Sequence, residues 1–265
     1  MNHRSKFFVL ATCVMWATAW DVDASERRFT YTYESLVLNP GDIELEPWTT
    51  YRAGRSSYYR RFDERLEIEA GLTENLQTAF YINFSGITAD DGTDYRSTFD
   101  FKGISSEWKY KLSDPVADGL GSAFYVEATG QTDELELEAK LIVDKRLDNI
   151  LFAANLVGEY EWEFSKNETE KVLIFELDLA LAYLLNDTWS LGLEIRQVND
   201  FTEGGSKFAH ATLFAGPSLS YTSKSFWAAF TLLPQIRAFK GKTDNNLVLD
   251  GHERLESRLI FGIHL

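Results

Sequence analysis

Cysteine is almost missing from this sequence: Cys13 is the only one in 265 residues. It sits inside the N-terminal apolar stretch, so no disulfide can brace the rest of the chain, and stability has to come from another source. Histidine is scarce too, with His3, His210, His252 and His264 alone. No HExxH, CxxC or EF-hand spacing occurs, so no metal site is expected; no GxGxxG or P-loop occurs, and no cofactor is expected either. Basic charge falls short, with 26 Lys and Arg against 41 Asp and Glu and a formal net charge of −15. That excludes nucleic acid as a partner, because phosphate recognition needs clustered Lys and Arg. The N-terminal apolar stretch, from Phe7 to Trp20, is about fourteen residues and short for a helical membrane span. Preceded by Arg4 and Lys6, it reads as a secretory signal, with cleavage after Ala19 or Ala24. The expected organisation is a cleaved signal peptide over residues 1–24 and one domain over 25–265.

What the sequence does have is alternation. In the segment KVLIFELDLALAYLLN, residues 171–186, two acids interrupt an apolar run. In a helix, Glu176 and Asp178 would point about 200° apart, and one of them would meet an apolar surface at a cost of several kcal/mol. With period two, Leu173, Phe175, Leu177, Leu179, Leu181, Tyr183 and Leu185 share one face. Glu176, Asp178, Ala180, Ala182 and Asn186 share the other. The same pattern recurs to the C-terminus. It predicts twelve strands, at 43–53, 58–72, 75–88, 98–112, 120–131, 134–146, 149–164, 171–186, 188–200, 207–222, 225–240 and 253–265. No segment between them has helical periodicity, and no long Pro/Gly/Ser linker divides them.

The connections alternate in length. Thr73–Asn75, Leu147–Asn149, Asn186–Asp187 and Ser223–Lys224 are tight, and Ser113–Gly119 is longer but rich in turn residues. Between these fall longer polar connections such as those near 89–97 and 241–252. Short turns at one end and long loops at the other are the mark of a membrane β-barrel. A soluble β-sandwich also alternates. It does not explain strands of twelve to sixteen residues, where about five or six is usual. Nor does it explain two outward aromatic belts. Tyr110, Tyr183, Trp189, Tyr221 and Phe226 would lie near the short-turn end, and Tyr160, Trp162, Phe164 and Phe175 near the other. The fold expected is therefore all-β: a transmembrane up-and-down antiparallel β-barrel of about 12 strands.

The whole mature length resembles bacterial outer-membrane β-barrel proteins of the porin-like kind. The ending Arg258-Leu-Ile-Phe-Gly-Ile-His-Leu265 resembles the C-terminal assembly signal of that class, although such signals usually end in an aromatic residue. The segments SEWKYK (106–111) and ANLVGE (154–159) look like those of uncharacterised proteobacterial barrel families. The resemblance implies residence in a Gram-negative outer membrane, with that membrane's lipids and the barrel-assembly machinery as partners.

The inward set is crowded with charge. Its acids are Glu67, Glu69, Glu107, Glu127, Glu136, Glu138, Glu159, Glu161, Glu163, Glu176, Asp178, Glu194 and Glu256. Its bases are Arg65, Lys109, Lys111, Lys140, Arg196, Arg237, Arg254 and Arg258. Fifteen residues are the candidate pore lining: from this set Glu107, Lys109, Glu127, Glu136, Glu138, Lys140, Glu159, Glu161, Glu176, Asp178, Glu194, Arg196, Arg237 and Arg258, and with them Asn155. Two readings remain open. One is a narrow, acidic pore for the transport of ions or small polar, cationic solutes. The other is a closed structural or ligand-binding barrel, braced by ion pairs such as Glu127 with Lys140, or Glu194 with a neighbouring arginine or lysine. A barrel lipid hydrolase or deacylase is a third possibility and a distant one. His210 and Ser218 share a face of one strand, but eight residues place them roughly 26 Å apart, so they form no dyad. His210 could meet Asp200 or Ser206 across the neighbouring loop; His252 reads as a solvated loop residue. No catalytic residue is expected.

Overall fold

The computed structural model describes residues 27–90, 92, 94–165, 169–243 and 245–265. The expected signal peptide, residues 1–24, lies outside the described residues. Twelve strands follow one another: β1 (Ile43–Ala53), β2 (Tyr59–Thr73), β3 (Leu76–Asp90), β4 (Tyr95–Ser113), β5 (Gly121–Gly130), β6 (Glu134–Leu147), β7 (Ile150–Phe164), β8 (Thr169–Leu184), β9 (Trp189–Thr202), β10 (Lys207–Thr222), β11 (Phe226–Lys240) and β12 (Leu255–His264). Each boundary falls within three residues of the position read from the sequence. Every strand pairs antiparallel with its neighbours, and β1 pairs with β12, so the barrel closes. Closure leaves no sheet edge unpaired, which is what hydrocarbon demands and why no disulfide is needed.

Alternation sorts the side chains as the pattern requires. On β8, Phe175, Leu179 and Leu181 are exposed outward while Asp178, Ala180 and Ala182 are buried inside. Phe80, Ile104, Leu156 and Leu191 carry the same exposed apolar band around the barrel. At the short-turn end, Trp189 stacks edge-on against Tyr221, whose ring stacks on Phe226, and Tyr110 and Tyr183 are exposed at the same end. At the long-loop end Tyr160 packs on Trp162, and Phe164 and Phe175 are exposed. These are the two belts of a transmembrane barrel.

One inward assignment fails. Two irregularities in the pairing of β10 with β11, between Ala211 and Thr212 and between Leu213 and Phe214, reset the phase of β11. Gln235 and Ala238 face the lumen, and Arg237 turns outward, where its guanidinium lies over the Phe239 ring. A bulge moves every later residue to the opposite face, and strict period-two counting misses it.

The larger difference lies before β1. Residues 27–42 form no strand; they cross the interior of the barrel. Phe29 packs on Leu151, Ala153, Ala180 and Ala182, Tyr33 lies edge-on against Tyr125, and Leu38 is 1% exposed. An extended segment without a sheet partner must place its backbone N–H and C=O groups elsewhere. Here the inner wall supplies the partners. Glu194 accepts from the N–H groups of Thr30, Tyr31 and Thr32 at 2.9, 2.9 and 2.8 Å. Asn155 both accepts from Tyr33 N–H at 2.6 Å and donates to its carbonyl at 3.0 Å. Gln77 takes Leu38 N–H at 2.9 Å, and the Lys109 ammonium donates to Leu36 O at 2.5 Å. The wall is also cut to fit: a Cβ on Gly71 would collide with the Asn39 carbonyl, and one on Gly192 would stand 3.2 Å from the Phe29 ring.

Candidate functional site

The segment 27–42 divides the lumen into two levels. Between it and the long-loop end lies an open vestibule of about 510 Å³, floored by Tyr31, Tyr33 and Trp48. Ten of the fifteen candidate pore-lining residues line this space: Glu127, Glu136, Glu138, Lys140, Glu159, Glu161, Glu176, Asp178, Arg196 and Arg258. Glu107, Lys109, Asn155 and Glu194 point inward as expected but belong to the level of the crossing segment, where they are buried. Arg237 is on the outer face. The residues that close the lumen, Phe29 to Leu38, carried a signal in the sequence. FTYTY alternates in the manner of a strand, yet it lies outside the strand series and has no belt to join.

The vestibule is electrically lopsided. On β6 and β7 three glutamate pairs stand directly across from each other: Glu134 with Glu163, Glu136 with Glu161, and Glu138 with Glu159. Like charges opposite one another weaken a strand pair, so a ladder of three is not a bracing device. Lys140 reaches Glu138 at 3.0 Å, and Arg65 meets Glu127 at 3.1 Å. The partnership of Glu127 with Lys140 anticipated from the sequence is thus exchanged for two others, because pairing across strands depends on register. The bases gather on the opposite wall. Arg196 holds Glu176 at 2.7 Å and Glu256 at 2.9 Å, with Asp178 at 3.7 Å. Arg52 and Arg61 share Asp63 at 3.3 and 2.5 Å. Arg258 donates to Thr50 at 2.9 Å and to the Thr30 carbonyl at 3.1 Å, and its guanidinium lies over the Tyr31 ring that floors the space.

At the mouth, Asp200 on β9 faces His210 on β10, with His210 Nδ1 at 3.4 Å from Asp200 Oδ2. A shift in register between Phe208 and His210 lets Phe208 stack outward on Phe201 while His210 turns in. His252 is not a solvated loop residue, as the sequence suggested. The loop between β11 and β12 folds into the mouth, with Gln235 accepting from Val248 N–H at 2.7 Å and donating to the Val248 and Glu253 carbonyls at 3.0 Å. This brings His252 Nε2 to 2.6 Å from Asp200 Oδ2. Burial alone would lower the pKa of His252, but the hydrogen bond and charge of Asp200, with Glu256 and Glu253 behind it, outweigh burial and raise it. Ser218 is buried beside Gly192 at the level of the crossing segment, so it is not placed with the two histidines of the mouth.

A closed twelve-strand barrel with an apolar outer band and a charged lumen is the fold of outer-membrane β-barrels. The NanC porin superposes with a TM-score of 0.53 at 11% identity, covering 83% of this chain and 99% of that one. The translocator domain of the autotransporter NalP from Neisseria meningitidis gives 0.53 at 13% identity, over 86% and 90%. The β domain of the Bordetella autotransporter Brka gives 0.50 at 10%, over 86% and 100%. These likenesses establish the fold. Within it, residues 21–265 match the Family of unknown function (DUF6662), and the chain belongs to that family. No curated protein matches its sequence.

Proposed function

We propose that this protein is an outer-membrane conduit for small polar, cationic solutes, entered from outside through the acidic vestibule and held closed by its own N-terminal segment. The carrying observation is where the open space stops. The vestibule ends on Tyr31 and Tyr33, which belong to a segment seated across the barrel, with Trp48 of the β1 wall beside them. A pore braced permanently shut would be filled by side chains of its own strands. A segment held by hydrogen bonds to Glu194, Asn155 and Gln77 can leave and return. In this reading the long loops face outward, the short turns face the periplasm, and the glutamate ladder concentrates cations above the floor. The similar structures include a porin and autotransporter translocator barrels, which accords with passage and leaves the solute open. No enzymatic activity is assigned.

The test is single-channel recording of the folded protein in planar bilayers beside Glu194→Ala. Removing the carboxylate strips three backbone donors of their acceptor. Losing even one charge-assisted hydrogen bond, worth about 1.5–3 kcal/mol, shifts the closed-to-open ratio roughly tenfold or more. The expected record is rare steps from the parent and frequent cation-selective steps from the variant. Glu136→Gln combined with Glu161→Gln in the open variant should cut the cation preference. A second reading, a closed ligand-binding barrel, draws on the close fit of the wall at Gly71 and Gly192. A folded Glu194→Ala variant that stays silent, with heat-modifiable migration intact, would favour it.

A further inference from the structure

The mouth of the vestibule carries a donor set that the conduit reading does not require. Asp200 Oδ2 lies 2.6 Å from His252 Nε2 and 3.4 Å from His210 Nδ1. One ligating atom from each of the three residues lies within 4.8 Å of the others. The three come from separate places, β9, β10 and the loop before β12, and each is reached by a distinct device: the strand pairing, the register shift ahead of His210, and the tethering of the loop by Gln235. The His210 ring is further fixed in place. A Cβ at Gly241, where φ is +74°, would collide with its Cδ2, and one at Gly251 would stand 3.1 Å from its Cε1. Glycine at both positions lets the loop backbone close over the imidazole. The other ring nitrogen, His210 Nε2, lies 3.9 Å from Asp250 Oδ1.

We infer that Asp200, His210 and His252 form a binding site for a divalent transition-metal ion of the zinc(II) type at the mouth of the barrel. Two imidazole nitrogens and one carboxylate select zinc, copper or nickel over calcium and magnesium, which take all-oxygen shells. Tetrahedral ligands at about 2.0–2.1 Å from a metal stand roughly 3.3 Å apart. The His210 to Asp200 spacing of 3.4 Å already meets this, and the 2.6 Å between His252 and Asp200 would have to widen by about 0.7 Å. Asp250 stands behind His210, 3.9 Å from its other nitrogen and so short of a hydrogen bond. A metal-bound imidazole ordinarily gives its second N–H to a carboxylate, which fixes the tautomer and orients the ring; Asp250 faces the nitrogen of His210 that the metal would not use. Asp200 and His252 line the vestibule, so remaining coordination positions open towards it. The site does not depend on whether the barrel conducts.

Zinc chloride titrated calorimetrically into the folded, detergent-solubilised chain tests this, with excess magnesium chloride present to occupy the glutamate ladder. One site is expected. His210→Ala and His252→Ala should each weaken it at least tenfold, and Asp250→Asn should weaken it less. Glu74→Gln, exposed in the short turn at the opposite end of the barrel, should leave it unchanged. Diethylpyrocarbonate labelling of the unaltered protein gives a reading free of folding artefacts, because zinc should protect His210 and His252 together. Absence of zinc binding, retention of it in the His210→Ala/His252→Ala double variant, or equal labelling with and without zinc would each overturn the assignment.

Discussion

Leu179→Arg loses about 2–4 kcal/mol of folding stability in lipid, the cost of a cation on the lipid face near the bilayer midplane. Leu179 is 40% exposed and lies midway along β8 between the exposed aromatic residues Phe175 and Tyr183. Its cross-strand partners are Ala154 and Ile195, both apolar and on the same outer face. An arginine at that depth has no carboxylate to meet and must either thin the bilayer or carry its charge through hydrocarbon. The lumen side of the same strand behaves differently. Asp178 is 2% exposed, yet it lies 3.7 Å from Arg196, and Asp178→Ala should leave membrane insertion intact. Urea titration of the barrel in liposomes separates the two. A Leu179→Arg variant as stable as the parent would mean that this face does not meet lipid, and the inside-out assignment of all twelve strands would fall with it.

That assignment was legible because a barrel writes its two solvents into the chain at a period of two. Once Glu176 and Asp178 demanded a strand, the face of every strand followed, and the belts located both ends. The features that escaped are those where local period and global placement part company. Arg237 was misplaced because a bulge is set by pairing between β10 and β11, and neither strand alone encodes it. The crossing segment escaped because FTYTY has the alternation of a strand with no membrane face to serve; only its hydrogen bonds to Glu194 and Asn155 reveal its place. Glu194 itself read as a lining carboxylate awaiting a lysine or arginine, when its partners are backbone amides more than 160 residues away in sequence. The cluster at the mouth was half visible. Strand pairing brings His210 to Asp200, but His252 arrives on a loop whose fold depends on Gln235, and nothing in the spacing of the three residues announces them together.

Glu67→Gln raises the stability of the folded barrel by about 1–3 kcal/mol, the penalty of a buried polar group left without a partner. Glu67 is 1% exposed, and among the described residues no N–H or hydroxyl donor reaches either of its carboxylate oxygens. It stands directly across from Glu46, as Glu69 stands across from Glu44, so the β1–β2 pair sets two like-charged couples in the buried level of the lumen. Glu107 from β4 brings another carboxylate within 4.8 Å of those of Glu67 and Glu69. The neighbours are better provided for. Glu44 receives Trp227 Nε1–H at 2.7 Å, Glu46 receives Trp48 Nε1–H at 3.0 Å, and Glu107 receives the Tyr81 hydroxyl. Arg27 approaches Glu46 only to 4.0 Å. A glutamine at position 67 keeps the volume, removes one carboxylate from a low-dielectric cluster, and supplies two N–H donors to the carboxylates around it. Liposome unfolding in urea reads the result directly. If Glu67→Gln instead destabilises the barrel, the carboxylate is engaged as a charge. Repeating the titration with a chelator would then show whether a cation bound among the glutamates is what it holds.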